Sequence, residues 1–174
     1  MPSKSSVKGK AGERELAKIL SKYFGGSWQR VKGSGAFTGG KNAVRAATLS
    51  NTQLLSSSND IIPPDEYPHC AVESKAYDDF DFHLLLREDG NARLNKWISQ
   101  VHESGIDIER CFPMICFKPN RKGWYICVGL RKVSHFDLGK INFSIYRYEN
   151  KAYLITDMLT FIELYNNELR ALFS

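Results

Sequence analysis

Apolar and polar positions follow two rhythms along this chain, one near 3.6 residues and one of 2. From Lys10 to Phe24 the residues Ala11, Leu16, Ile19, Leu20, Tyr23 and Phe24 recur at helical spacing, and Gly25-Gly26 stops the run. Leu16, Ile19, Leu20 and Tyr23 make the expected buried stripe, with Glu13 on its border and able to look inward. Trp28, Arg30 and Lys32 alternate around Val31, as in a short strand that runs into the Gly-rich segment 33–40. Residues 41–59 are rich in Ser, Asn and Thr and read as a long surface loop. Two apolar runs follow, Asp60-Ile61-Ile62 and Cys70 to Lys75, separated by Pro63-Pro64-Asp65-Glu66-Tyr67-Pro68. They are expected to pair as a hairpin.

Leu94, Trp97, Ile98, Val101 and His102 restore the helical period as far as Glu103, closed by Ser104-Gly105. Strands are expected over 113–118 and 124–128, joined by a turn at 119–123, and again over 143–148 and 152–155. A last helix starts from Thr156 or Asp157, either a good N-cap, and reaches about Leu172. Helix, strands, helix, strands, helix predicts one α/β domain over 1–174, a mixed sheet flanked by helices. Residues 1–9 read as a flexible basic arm, and 129–174 as a C-terminal strand pair and helix.

Composition narrows the class. The length of 174 residues suits a single core, and the apolar and charged fractions are those of a folded soluble protein. No apolar run approaches the ~18 residues of a membrane span. The first residues lack an apolar signal core, so a cytoplasmic location is expected. Cys70, Cys111, Cys116 and Cys127 form no C-x-x-C pair and read as buried reduced thiols rather than a zinc site. The four histidines are scattered and read as surface or packing residues.

The net charge of +5 is uneven: residues 1–45 carry +8 and the remainder −3. Lys8, Lys10, Arg14, Arg30, Lys32, Lys41 and Arg45 form a basic end suited to a polyanion. Gly and Ser among them let the backbone approach phosphates.

The candidate chemistry lies in the expected hairpin. On a strand, Glu73 and Lys75 project from one face, and Asp60 can fold back beside them. Two carboxylates and an ammonium on a sheet edge suit a hard divalent cation that activates water against a phosphodiester. Glu-x-Lys is common by chance, and a solvated strand face is the competing reading. Asp78, Asp79 and Asp81 read as a solvated acidic turn. The segment 33–40 lacks the G-K-[ST] ending of a nucleotide-binding loop.

Lys8-Gly9-Lys10-Ala11-Gly12-Glu13-Arg14-Glu15-Leu16, then Arg30-x-x-x-Ser34-Gly35, then Asp60-Ile61-Ile62, then Val72-Glu73-Ser74-Lys75, resembles the archaeal-type Holliday junction resolvases and their phage relatives. These belong to the PD-(D/E)xK nuclease superfamily, and the resemblance covers roughly residues 8–128. It implies a restriction-endonuclease-like fold and paired cuts in branched double-stranded DNA by a homodimer that uses Mg²⁺, with Mn²⁺ as a substitute. It places Asp60 and Glu73 as metal ligands with the Ser74 carbonyl, and Glu13 at the metal directly or through water. Lys75 becomes the active-site lysine and Ser34 a catalytic serine. Lys96 or Gln100 matches a polar position on the following helix. For a phage-encoded member the location would be the host cytoplasm.

The chain departs from the pattern at Asn59, where Pro or Gly is usual, and in the long segment 37–59. Residues 129–174 match no motif of the family. The rival readings are a restriction-type endonuclease or nickase of the same superfamily, a non-catalytic nucleic-acid binding module, and a scaffold protein.

Overall fold

A computed structural model describes residues 4–31, 59–77 and 79–174. In chain order the elements are α1 (Lys4–Phe24), β1 (Gln29–Arg30), β2 (Ile61–Ile62), β3 (Cys70–Tyr77), α2 (Ala92–Glu103), β4 (Phe112–Pro119), β5 (Tyr125–Gly129), β6 (Phe143–Tyr148), β7 (Lys151–Asp157), α3 (Met158–Leu164) and α4 (Asn166–Phe173). The strands form one seven-stranded sheet in the order β1-β2-β3-β4-β5-β7-β6. Among the described residues only β3 and β4 run parallel, and every other pair is antiparallel. A parallel pair needs a crossover, and α2 supplies it.

Period-2 alternation sorts the strands onto two cores. Cys70, Val72, Met114, Cys116, Ile126, Val128 and Leu154 face Leu16 and Leu20 of α1, Met158 and Phe161 of α3, and Leu169 and Phe173 of α4. Ile115, Phe117, Cys127, Tyr153 and Ile155 face the other way, onto Leu94, Trp97 and Ile98 of α2 and Phe80. The fold is an α/β sandwich on a mixed sheet, of the restriction-endonuclease-like kind.

α1 starts at Lys4, so residues 4–9, expected as a flexible arm, form its first turns. Its fully buried line is Leu16, Ala17, Leu20 and Phe24; Ile19 and Tyr23 are only half-buried. The buried line is therefore turned toward the sheet relative to the stripe read from sequence. Gly25 ends the helix in a left-handed conformation (φ 77°) and returns its N–H to the Ser21 carbonyl, 3.0 Å away. α2 is capped by Asn91, whose side chain accepts from the backbone N–H groups of Arg93 and Leu94.

The expected single C-terminal helix is two helices. Asp157 caps α3, and the chain breaks at Tyr165 (φ −114°, ψ 28°) before α4. No Pro or Gly marks the break. Tertiary contacts impose it: the Tyr165 hydroxyl donates to the Asp137 carbonyl at 2.6 Å, and its ring packs on Phe136 and Phe161.

An aromatic clamp fixes the β1–β3 half of the sheet. Phe24, Trp28, Tyr67 and Phe173 meet with ring centroids 5.1–6.5 Å apart. Tyr67, in the Pro-rich connection of the β2–β3 hairpin, donates its hydroxyl hydrogen to the Phe24 carbonyl (2.8 Å). Arg170 of α4 bonds the Tyr67 hydroxyl (2.6 Å) and the Tyr23 carbonyl (2.8 Å). The C-terminal segment is thus part of the platform that holds the hairpin.

Candidate active site

β2 and β3 pair as the expected hairpin, with Ile61 opposite Val72. One residue earlier, Asp60 falls across from Glu73, and its backbone is held on both sides. Its N–H donates to the Val72 carbonyl (3.1 Å), and its own carbonyl accepts from Val31 N–H (2.9 Å). Asp60 Oδ2 accepts the Ser74 N–H at 2.9 Å. Ile61 and Val72 face α1, so the neighbouring positions Asp60 and Glu73, and Lys75 beyond them, project from the α2 face. Tyr77, next on that face, packs its ring on Trp97 of α2 at 5.2 Å.

Glu73 and Lys75 form an ion pair, Nζ to Oε1 2.5 Å, with side chains 15% and 14% exposed. Burial, then the Asp60 charge, pushes the Glu73 carboxyl up to about 7, against the opposing pull of Lys75. Burial pulls the Lys75 ammonium down, but the charge and hydrogen bond of Glu73, followed by Asp60, outweigh it and leave its pKa raised. A carboxylate lifted by a second carboxylate, beside a lysine held protonated, marks a place where charge is concentrated on purpose.

Glu13 stands apart from this group. It lies on α1, over the opposite side of the sheet, and its carboxylate is ion-paired with Arg30 of β1. Its charge still contributes, last in order, to the rise of the Glu73 pKa. Arg30, expected among the phosphate-binding bases, is only 19% exposed in this pair. No sequence signal marked the pair, because its members are seventeen residues apart on different elements. A second unmarked feature is Gly12: a Cβ there would come 2.9 Å from the Ala76 Cβ. Glycine brings α1 close to β3 and sets the height of Glu13.

Of the remaining candidates, Ser74 has a buried hydroxyl with no hydrogen-bond partner among the described residues. Lys96 and Gln100 are exposed on α2, and so are Lys10 and Arg14 on α1. Lys8 falls within α1. Lys32, Ser34, Lys41 and Arg45 lie outside the described residues, as do the Gly-rich segment and most of the long loop. All four cysteines are buried and unbridged, and burial raises their pKa values.

Among the described residues no three His, Cys, Asp or Glu side chains form a ready-made metal cage. The donor set that the hairpin itself brings together is Asp60 and Glu73, with Glu13 ion-paired to Arg30. That set fits Mg²⁺, which keeps several waters and is commonly held by one or two carboxylates plus substrate phosphate. Burial and then the facing Asp60 raise the Glu73 pKa, and a cation between the two carboxylates would oppose both effects.

A pH dependence follows. A cation needs Glu73 ionised, and Glu73 is protonated below about 7. Mg²⁺ affinity should therefore weaken as pH falls through 7, approaching about tenfold per unit for one linked proton. Calorimetric titration at pH 6 and pH 8 checks this; equal affinities would remove Glu73 from the metal site.

A mixed sheet that presents an Asp from one strand and a Glu-x-Lys from the next defines a PD-(D/E)xK nuclease. The comparisons agree. The family described as "Phage putative PDDEXK endonuclease" matches residues 4–170, and the chain belongs to it. Protein D14 of Escherichia phage T5 is 31% identical over 127 residues, which cover 71% of this chain and 70% of that protein. No solved structure matches. The family match extends through the C-terminal segment that carries no resolvase motif, consistent with its place in the clamp. No helix among the described residues is long and apolar enough to cross a membrane.

Proposed function

We propose that this protein is a Mg²⁺-dependent, structure-specific DNA endonuclease that resolves four-way junctions by paired phosphodiester cuts. The observation that carries the nuclease reading is the convergence of Asp60, Glu73 and Lys75 on one sheet face, with Glu73 raised by burial and then by Asp60. Preference for junctions rests on the resolvase-like order of the four sequence motifs. In this reading Asp60, Glu73 and the Ser74 carbonyl hold the cation. When bound, the ion supplies positive charge to a phosphate oxygen and acidifies water. Glu13 acts at the margin of the site, its position fixed by Arg30. Lys75, protonated beside Glu73, stabilises charge that develops on the phosphorane. Ser34 positions the scissile phosphate. Mn²⁺ would substitute for Mg²⁺, and the enzyme would work in the host cytoplasm.

Paired cuts in a nearly two-fold junction call for two sites related by C₂ symmetry, hence a homodimer. The outer strand β6 is paired only with β7, and Phe143 and Ile145 are 39% and 47% exposed on it. Such an edge is open to a second copy.

Cleavage of synthetic four-way junctions with unrelated arm sequences, with and without Mg²⁺, tests the proposal. Metal-dependent cuts in every junction and little cutting of linear duplex are expected. Cutting confined to one duplex sequence would instead favour a restriction-type member of the same superfamily.

The basic N-terminal third is proposed as the main phosphate-binding surface. Replacing Lys8, Lys10, Lys32 and Lys41 by Ala should weaken DNA binding. The slope of log affinity against log salt should also flatten, by close to one unit for each phosphate no longer neutralised. An unchanged slope would move the footprint elsewhere. Arg30 is left out because its guanidinium pairs with Glu13.

A further inference from the structure

The proposed chemistry leaves unused a cavity of about 880 Å³ on the α2 face of the sheet. It opens between the C-terminal half of α2 and strands β4, β5 and β7, and its size falls within the range of small-molecule sites. Its floor is apolar, built from Ile98, Ile115, Cys127 and the ring of Tyr153, whereas Arg131, Lys132 and Lys151 stand among its lining with Glu109 as the one carboxylate. Lys132 Nζ is committed to the Glu109 backbone carbonyl (2.6 Å), whereas Lys151 Nζ makes a longer contact to His102 Nδ1 (3.3 Å) and Arg131 is exposed, so Arg131 and Lys151 are the cations best placed for an anion. Between floor and rim, His102 Nε2 and the Tyr153 hydroxyl are 2.8 Å apart. An imidazole and a phenol offer both donor and acceptor capacity.

The location links this cavity to the active site. Ile115 is the register partner of Glu73 in the parallel β3–β4 pair, so the two side chains point from the same face. The wall of the cavity therefore begins on the strand next to that of Glu73, about 4.8 Å away at the backbone, and Tyr153 lies on the strand about three such spacings away. The cavity and the Asp60–Glu73 pair thus share one face of the sheet.

We propose that the cavity receives a single unstacked nucleotide, its base on the floor of Ile115, Cys127 and Tyr153 and its phosphate toward Arg131 and Lys151. An apolar floor with an aromatic ring accepts the face of any base, and cations at the mouth answer the phosphate. A base inside a duplex cannot enter, so the nucleotide must be unpaired or flipped out. This inference rests on the nuclease reading for its DNA source. It assigns the enzyme a preference for substrates with an unpaired nucleotide beside the cut, as occurs at branch points.

Two arms of one experiment on the full chain test it. In the first, without metal or DNA, deoxythymidine 5′-monophosphate is titrated while backbone amide resonances are followed by NMR. Saturable shifts at residues 98–102 and 151–153 are expected, with affinity weakened at least tenfold in the Arg131→Ala/Lys151→Ala variant. In the second, junction DNA carries a single abasic site at each position flanking the cut in turn. A loss of tenfold or more in kcat/KM at one position identifies the substrate strand as the source. Shifts in the first arm with a flat second arm identify a free nucleotide as the occupant. Absence of shifts in the wild-type protein together with a flat abasic series overturns the proposal. If no DNA is cut at all, the nuclease reading fails, and the first arm still decides on the cavity.

Discussion

Replacing Glu73 by Gln, or Asp60 by Asn, is expected to abolish DNA cleavage while leaving DNA binding intact or slightly tighter. Each substitution keeps the size and planarity of the side chain and removes one negative charge. Asp60→Asn can keep its contact to the Ser74 N–H through the amide oxygen, so the hairpin should persist. Glu73→Gln leaves Lys75 beside a neutral amide in place of its carboxylate partner. A cation that depends on two carboxylates loses half its protein charge in either variant. A rate loss on the order of a thousandfold corresponds to about 4 kcal/mol of barrier. Removing negative charge beside a polyanion also relieves repulsion, hence the expectation for binding. Single-turnover cleavage at saturating enzyme, with affinity measured in parallel, gives the comparison. Either variant cutting at the wild-type rate in Mg²⁺ would disprove the assigned site.

The largest expected effect on stability lies far from that site in sequence. Phe173 is fully buried in the clamp, in ring contact with Phe24, Trp28, Tyr67 and Phe112. Its carbonyl also accepts the His69 N–H at 2.9 Å, just before β3 begins. Phe173→Ala empties a space bounded by rings on other elements, which cannot readily collapse into it. Such truncations cost about 3–5 kcal/mol, a large share of the ~5–15 kcal/mol that holds a typical domain together. Urea denaturation should show the midpoint falling at little change in slope. A loss below about 1 kcal/mol would mean that the helix end is not part of the core.

The hairpin that carries Asp60, Glu73 and Lys75 could be read from the chain because two local signals coincide there. Period-2 alternation defines β3, and a Pro-rich connection lets only one pairing close. The boundaries of α2 and of the β4–β5 and β6–β7 pairs were equally readable, since caps and turns mark them. What escaped the sequence depends on contacts between distant residues. The break at Tyr165 is made by Asp137, Phe136 and Phe161, and no local residue announces it. The pairing of Arg30 with Glu13 joins residues seventeen positions apart on different elements, and nothing local announces it. The first turns of α1 lack an apolar stripe, so periodicity could not distinguish them from a tail. The cavity beside Glu73 is invisible for the same reason, because α2, β4, β5 and β7 build it together.

The aromatic clamp also bears on how the enzyme comes into being. Its hydrogen bonds join residues 147 and 103 positions apart, Arg170 to Tyr23 and Arg170 to Tyr67. Closing loops of that size costs entropy before any contact repays it, and topologies dominated by such closures fold slowly. Until the far end of the domain docks, the Pro-rich connection lacks the contacts that Arg170 and Phe173 make to Tyr67. The platform under the β2–β3 hairpin is therefore complete only once the two ends of the domain have met.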